Sequence, residues 1–337
     1  LSNLGALTTA STDQITITVN DDAATNVNAE DLSALGGKTA ATVTVSNAVN
    51  IQGTTDQVTA ALVTDETKVT ASTATVELDD GETPSITQLN NIAAAAGVVT
   101  ASLAANSLSN LGALTTASTD QITITVNDNA GDTLNATDLS TLGGKTAATA
   151  TVSNAVVISG TQAQVTAALV TDETKVTAAN ALVTVSDNAG VNLNAEDLSA
   201  IGGATGGTVT VTNAVNIQGT TDQVTAALVT DETKVTASTA TVELDDGETP
   251  SITQLNNIAA AAGVVTASLA ANSLSNLGAL TTASTDQITI TVNDDAATNV
   301  NAEDLSALGG KTAATVTVSN AVNIQGTTDQ VTAALVT

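Results

Sequence analysis

Carboxylates gather at recurring points along this chain: Asp21 and Asp22 ahead of Asn26, Asn28 and Glu30; Asp79 and Asp80 with Glu82; Asp128 with Asp132; Asp187; Asp245 and Asp246 with Glu248; and Asp294 with Asp295. Closely spaced carboxylate and amide oxygens in a turn suit a hard cation such as calcium, with backbone carbonyls and water completing six to eight ligands. These acids are the candidate metal ligands, and calcium is the one cofactor the sequence leads us to expect. Turn preference and the solubility that charge confers account for the same residues without a metal. No stretch matches an EF-hand loop or a glycine-rich calcium-binding nonapeptide.

Other chemistry has little to work with. The 337 residues contain no His, Cys, Met, Trp, Tyr or Phe, and all six basic residues are lysines. Catalytic and cofactor-binding residues are therefore expected to be absent. Carboxylates could be paired for glycoside hydrolysis, yet nearly every acidic cluster is repeated and there are no aromatic platforms for sugar. The lysines, Lys38, Lys68, Lys145, Lys175, Lys234 and Lys311, follow a Gly-Gly or lie within Thr-Asp-Glu-Thr-Lys. Lys68 could meet Asp65 or Glu66, an exposed pairing that contributes about 0 to 1 kcal/mol. Asn135-Ala-Thr137 matches the glycosylation pattern on three letters alone. Thr-x-Thr pairs at Thr16 and Thr18, Thr42 and Thr44, Thr123 and Thr125, Thr208 and Thr210, and Thr289 and Thr291 read as exposed strand positions. Stacked, they would make a flat array of hydroxyls and methyls that resembles the ice-binding face of some β-solenoids.

The elements that must position these residues are repeats. Residues 1–64 recur without change as residues 274–337, so residues 1–273 form one super-repeat and 274–337 begin the next. Offsets of 107 and 166 residues carry Leu1–Asp21 onto Leu108–Asp128 and Asn47 onto Asn213. Beneath them an apolar pair spaced by three, as in Leu32 and Leu35 or Leu89 and Ile92, returns about every 27 residues, a repeat-protein period.

Most beats open with a helix-start signature. Asn28-Ala-Glu-Asp31, Thr54-Thr-Asp-Gln57, Ser85-Ile-Thr-Gln88, Asn135-Ala-Thr-Asp138 and Thr161-Gln-Ala-Gln164 place a capping side chain three residues before an acid or amide. Ala104-Ala-Asn-Ser107, ahead of Leu108, offers no cap at the equivalent place. Gly36-Gly37, Gly97, Gly143-Gly144 and Gly202-Gly203 stand where a left-handed closing residue is expected. Between helical turns, Ile15, Ile17 and Val19, or Val43 and Val45, alternate with threonine, the period-two pattern of strands. Leu32 to Gly37 allows barely more than one helical turn. The expected fold is therefore mainly β: one continuous repeat solenoid over residues 1–337, parallel β-helix-like, with a short helical turn per coil of about 27 residues.

Asp31-Leu-Ser-Ala-Leu-Gly-Gly-Lys-Thr39 and Val49-Asn-Ile-Gln-Gly-Thr-Thr-Asp-Gln-Val58 resemble recurring phrases of very large bacterial β-strand-repeat surface proteins, found in cyanobacteria and other aquatic bacteria. The resemblance implies export to the cell surface or matrix and calcium binding. With 34 acidic and 6 basic residues the formal charge is −28, which opposes binding to nucleic acid and anionic lipid. No apolar run approaches the ~18 residues of a membrane span, and no signal peptide is seen in a window that begins mid-array.

The expected protein is thus an extracellular, non-enzymatic structural one: a fibre, sheath, surface layer or adhesin stalk. Its expected partners are its own copies along the axis, within a longer polypeptide or between protomers, and divalent cations. A calcium-dependent adhesin or ice-binding module is the second expectation, and a polysaccharide-acting β-helix enzyme the third.

Overall fold

A computed structural model describes residues 1–66, 69–174, 176–233 and 235–336. Its local unit is a strand, a turn, a second strand and a helix that starts within two residues. Ile17–Val19, Asn26–Asn28 and Ala29–Gly36 make the first such unit. Val43–Val45, Asn50–Gly53 and Thr55–Leu62 make the second. The caps fix where the helices begin. Thr54, Ser85, Thr220, Ser251 and Thr327 form full capping boxes with Gln57, Gln88, Gln223, Gln254 and Gln330. Asn28 accepts instead from the amides of Glu30 and Asp31, and Asn135 from that of Thr137. The beat without an evident cap has one after all, a register later: Ser107 accepts from the Asn110 amide and starts the single turn Leu108–Leu111.

The chain forms two compact units. The first comprises Leu1–Val156 and Ala167–Asn180. It holds a three-stranded sheet ordered Ile17–Val19, Val43–Val45, Val69–Thr70. Its seven-stranded sheet runs Val176–Thr177, Ala150–Val152, Gln121–Val126, Val98–Ser102, Thr75–Leu78, Asn50–Gly53, Asn26–Asn28. The second unit comprises Val157–Thr166 and Ala181–Thr337. There the ten-residue strand Val235–Leu244 pairs with Val209–Val211, Asn216–Gly219 and Ala262–Ser268. Among the described residues the strands pair in parallel, and many of the pairings set like against like, Ile17 opposite Val43 and Val43 opposite Val69. Inward Val, Ile and Leu alternate with outward Thr, Asn and Gln, so Val19, Val43, Ile51 and Val76 are buried together with Leu32 and Leu89 from the helices. A buried aliphatic side chain of this size contributes about 1.5–3 kcal/mol, and the core is built from many of them.

The mainly β solenoid expected from the sequence is overturned. The fold is α/β, with 30% helix, 27% strand and twelve helices among the described residues, and the sheets are parallel. The physical reason lies at the caps. Because Asn28 ends its strand and caps in the same step, the helix takes in Ala29, Glu30 and Asp31 and runs for eight residues rather than one turn. Ile86–Ala95 runs for ten. The alternating stretches pair over only three or four residues, as in Val43–Val45 and Asn50–Gly53, because the threonines and asparagines around them go into turns.

The glycines after the apolar pairs also act differently from expectation. Gly37 and Gly144 close their helices right-handed, both at φ −68°. Gly97 stands in a tight place, where a Cβ would lie 3.2 Å from the carbonyl oxygens of Ala74 and Ser72. Left-handed backbone falls in the acidic turns instead, at Gly81, Gly131, Gly190 and Gly247. At the turn matching Gly131 the first repeat carries Ala24, at φ 62°. An L-residue held there costs about 1–2 kcal/mol, part of which glycine returns as unfolded-state entropy. Ala24→Gly should therefore raise stability by about 1 kcal/mol and Gly131→Ala lower it comparably, read from denaturant midpoints.

Candidate functional site

A helix start leaves backbone amides without partners. The cap side chains above serve those two or three residues in, and the first amide of the helix remains. At several of these starts it is met by a carboxylate from further along the chain. The Leu108 amide donates to Asp128 Oδ2 at 2.7 Å, and its copy Leu274 to Asp294 at 2.7 Å. The Gln162 amide donates to Asp187 at 2.6 Å. Thr55 and Thr221 donate to Glu82 and Glu248, each at 2.8 Å. The Leu1 ammonium takes the same place against Asp21. A carboxylate is favoured at this position by the charge-assisted bond and by the positive end of the helix dipole. The hydroxyl and amide of Thr55 hold Glu82 below the usual carboxylate range, and the amide and hydroxyl of Thr221 do so for Glu248.

The thirteen candidate metal ligands are thereby divided. Glu82, Asp128, Asp187, Glu248 and Asp294 are half-buried at helix starts, and Asp21 is half-buried against the Leu1 ammonium. Asp132 is exposed and accepts from the Asn129 amide within its own turn, at 2.9 Å. Asp22, Asp79, Asp80, Asp245, Asp246 and Asp295 are exposed to solvent in the same turns. Among the described residues, no three acids come together as a group able to hold a metal ion.

Three further sets of residues escaped the sequence reading. Asp120 and Asp286 are each 3% exposed. Asp120 accepts from the Val99 amide at 2.8 Å and the Ala117 amide at 2.7 Å, and Asp286 does the same with Val265 and Ala283. Thr146, also buried, accepts from the Ile122 amide and lies within hydrogen-bond distance of the carbonyls of Asp120 and Ile122. Glu77 accepts from Asn50 at 2.9 Å and Gln52 at 2.7 Å, which in that order hold its carboxyl low. Glu243 is held low in the same way by Asn216 and Gln218. The signal was repetition of the surrounding phrases, because all the partners except Ala117 and Ala283 lie more than twenty residues away.

The remaining motifs are placed as follows. The inner threonines of the Thr-x-Thr pairs stand opposite one another on successive strands, Thr18 with Thr44 and Thr44 with Thr70, while Thr16, Thr42 and Thr208 fall just outside their strands. Lys38 donates to the carbonyls of Gly5, within the short helix Leu4–Ala6, and of Leu7 just beyond it, and Lys311 donates to that of Leu280. Lys68, Lys175 and Lys234 lie outside the described residues, and with Lys68 its expected pairing to Asp65 or Glu66. Asn135 of the glycosylation pattern spends its oxygen on the Thr137 amide as a helix cap.

The single turn Leu108–Leu111 beside the two-turn helix Ala136–Gly143 leaves an open cavity of about 530 Å³. It is floored by leucine and rimmed by Asp128, Asp138 and Lys145, and a copy of about 480 Å³ lies at Leu274. Among the described residues no helix is long and apolar enough to cross a membrane. No protein-family model matches the chain, and no curated protein matches its sequence.

Two outcomes follow from this geometry. Asp120→Ala strands two buried amides and should lower stability by about 3 kcal/mol in chemical denaturation. Asp13→Ala, at the exposed equivalent that accepts from the Ala10 amide, should change it by less than about 1 kcal/mol. Glu77, Glu82, Glu243 and Glu248 have folded pKa values below the ordinary 4.5. Their contribution is complete above that value and is lost as pH falls through the lowered ones. Stability measured against pH should decline below about pH 4.5, and less steeply in Glu77→Gln/Glu243→Gln.

Proposed function

We propose that the protein is structural and not an enzyme, that it resides outside a bacterial cell, and that its repeats form part of a fibre, sheath, surface layer or adhesin stalk. The observation that carries this reading is the behaviour of the duplicated segment. Thr54 and Thr327 cap their helices with the same backbone angles to within 1°, and Asn28 and Asn301 agree to within 4°. Helix Thr328–Leu335 forms although none of its residues is buried. A unit that carries its own start signals and is tied to its neighbours by amide-to-carboxylate bonds can be extended by addition, which is what a scaffold requires.

Composition supports the same reading, because the chain has no His, Cys or aromatic residue, and some of its acids are engaged at helix starts. The surface charge keeps chains apart, and divalent cations at the exposed Asp22, Asp79, Asp80, Asp245, Asp246 and Asp295 bridge them. The test is antibody labelling of intact, unpermeabilised source cells, before and after washing with a calcium chelator. Label on the outer surface, released by chelation, is the expected result. Label that appears only after permeabilisation would overturn the reading, and label that resists chelation would remove the cations from it.

A further inference from the structure

The cavity beside the single turn Leu108–Leu111 carries opposite charges at its two ends. At one end lies the half-buried Asp128, which accepts from the Leu108 amide at the start of that turn. Asp138, in the first turn of helix Ala136–Gly143, lines the same cavity. At the other end is the half-buried Lys145, which follows Gly144, the residue that closes this helix. The matching Lys311 shows where such an ammonium goes: it donates to the Leu280 carbonyl, beyond the single turn Leu274–Leu277. The short turn and the longer helix thus both start at the acids and finish at the lysine. Between the ends, the buried Leu108, Leu111 and Leu142 close the bottom of the slot.

The arrangement recurs within the second unit, where a cavity of about 480 Å³ is lined by Asp294, Asp304 and Lys311 with Leu274 and Leu308. The walls of the two differ, since Thr133, Leu134 and Thr141 are replaced by Asn299, Val300 and Ala307, yet the charged ends are the same. Each end keeps hydrogen-bonding capacity after its internal contact, because a carboxylate has two accepting oxygens and an ammonium three donors. At about 530 Å³ the first slot falls within the ~300–1,000 Å³ typical of small-molecule sites.

We propose that each slot binds a small aliphatic zwitterion, an ω-amino acid whose ammonium meets the two carboxylates and whose carboxylate meets the lysine, with its methylenes over the leucines. Lys145 lies seven positions after Asp138. At about 1.5 Å per residue that is roughly 10 Å of helix, which a five-methylene chain with a charged group at each end spans. An anion alone is opposed by the two acids and by the net charge of −28, and a cation alone by the lysine. One charge of each sign, held apart by hydrocarbon, answers both ends and the floor.

Calorimetric titration of the full 337-residue chain with ε-aminocaproate tests this, in about 0.15 M salt to screen general attraction to the acidic surface. Saturable binding is the expected result, with hexanoate and hexylammonium each at least about tenfold weaker, since each lacks one of the charge-assisted contacts. Lys145→Gln and Lys311→Gln should each remove one bound equivalent. Asp138→Asn and Asp304→Asn, at exposed positions where folding is not at stake, should each lower the number bound in the same way. Asp79→Asn/Asp80→Asn, in a turn outside both cavities, should leave it unchanged. Absence of saturable binding, an analogue with a single charge that binds as tightly as the zwitterion, or Asp138→Asn and Asp304→Asn chains that bind as many equivalents as the parent would each overturn the proposal. A loss in Asp79→Asn/Asp80→Asn equal to that in Asp138→Asn would do the same, by tracing the binding to general surface charge.

Discussion

The bond between the first amide of a helix and a carboxylate arriving from the next repeat is the interaction on which the rest of this structure depends. Helices of eight to ten residues are too short to persist in water by propensity alone. In three of the eight-residue helices the cap side chain answers one orphan amide from within the repeat, and Glu82, Asp187 or Glu248 answers another from outside it. The second bond does two things at once. It completes the helix start, and it sets the distance at which the following strand must return to the sheet. A chain without aromatic side chains has few large anchors for its core, so polar ties of fixed geometry supply part of the specificity that anchors would otherwise provide.

The local signals in the sequence were more informative than the architecture. The capping boxes at Thr54 and Ser85 are visible as spacing, because both partners lie within one turn and their chemistry is reciprocal. The alternation of Val43, Thr44 and Val45 is visible for the same reason. What the sequence concealed was the share of helix. Gly36-Gly37 looks like a stop soon after Leu32, yet the helix extends backward through the acidic residues to its cap, where counting from the apolar pair does not look.

The acids of the candidate site misled in a related way. Carboxylate spacing along the chain suggests a shared ligand, but Asp79, Asp80 and Glu82 diverge in space: the last turns inward to Thr55, 27 residues earlier, and the other two face water. Asp120 was passed over because its phrase, Ser118-Thr-Asp-Gln121, is as polar as any surface turn. Only the arrival of strand Val98–Ser102 beside it makes the site buried. Both errors concern partners from another repeat, and no local periodicity reports on those.

The parallel register that sets like against like also bears on how the chain acquires its structure. The defining ties are short in sequence, spanning 20 residues for Leu108 with Asp128, 25 for Gln162 with Asp187 and 26 for Ile17 with Val43. Yet an identical partner for many of them exists elsewhere in the same polypeptide. The entropy of closing a loop grows with its length, so the near partner is reached first and the remote twin is disfavoured kinetically rather than by any difference in contact energy. Order of synthesis thus becomes part of the specification: a repeat leaving the ribosome can close on its predecessor before its duplicate has been made.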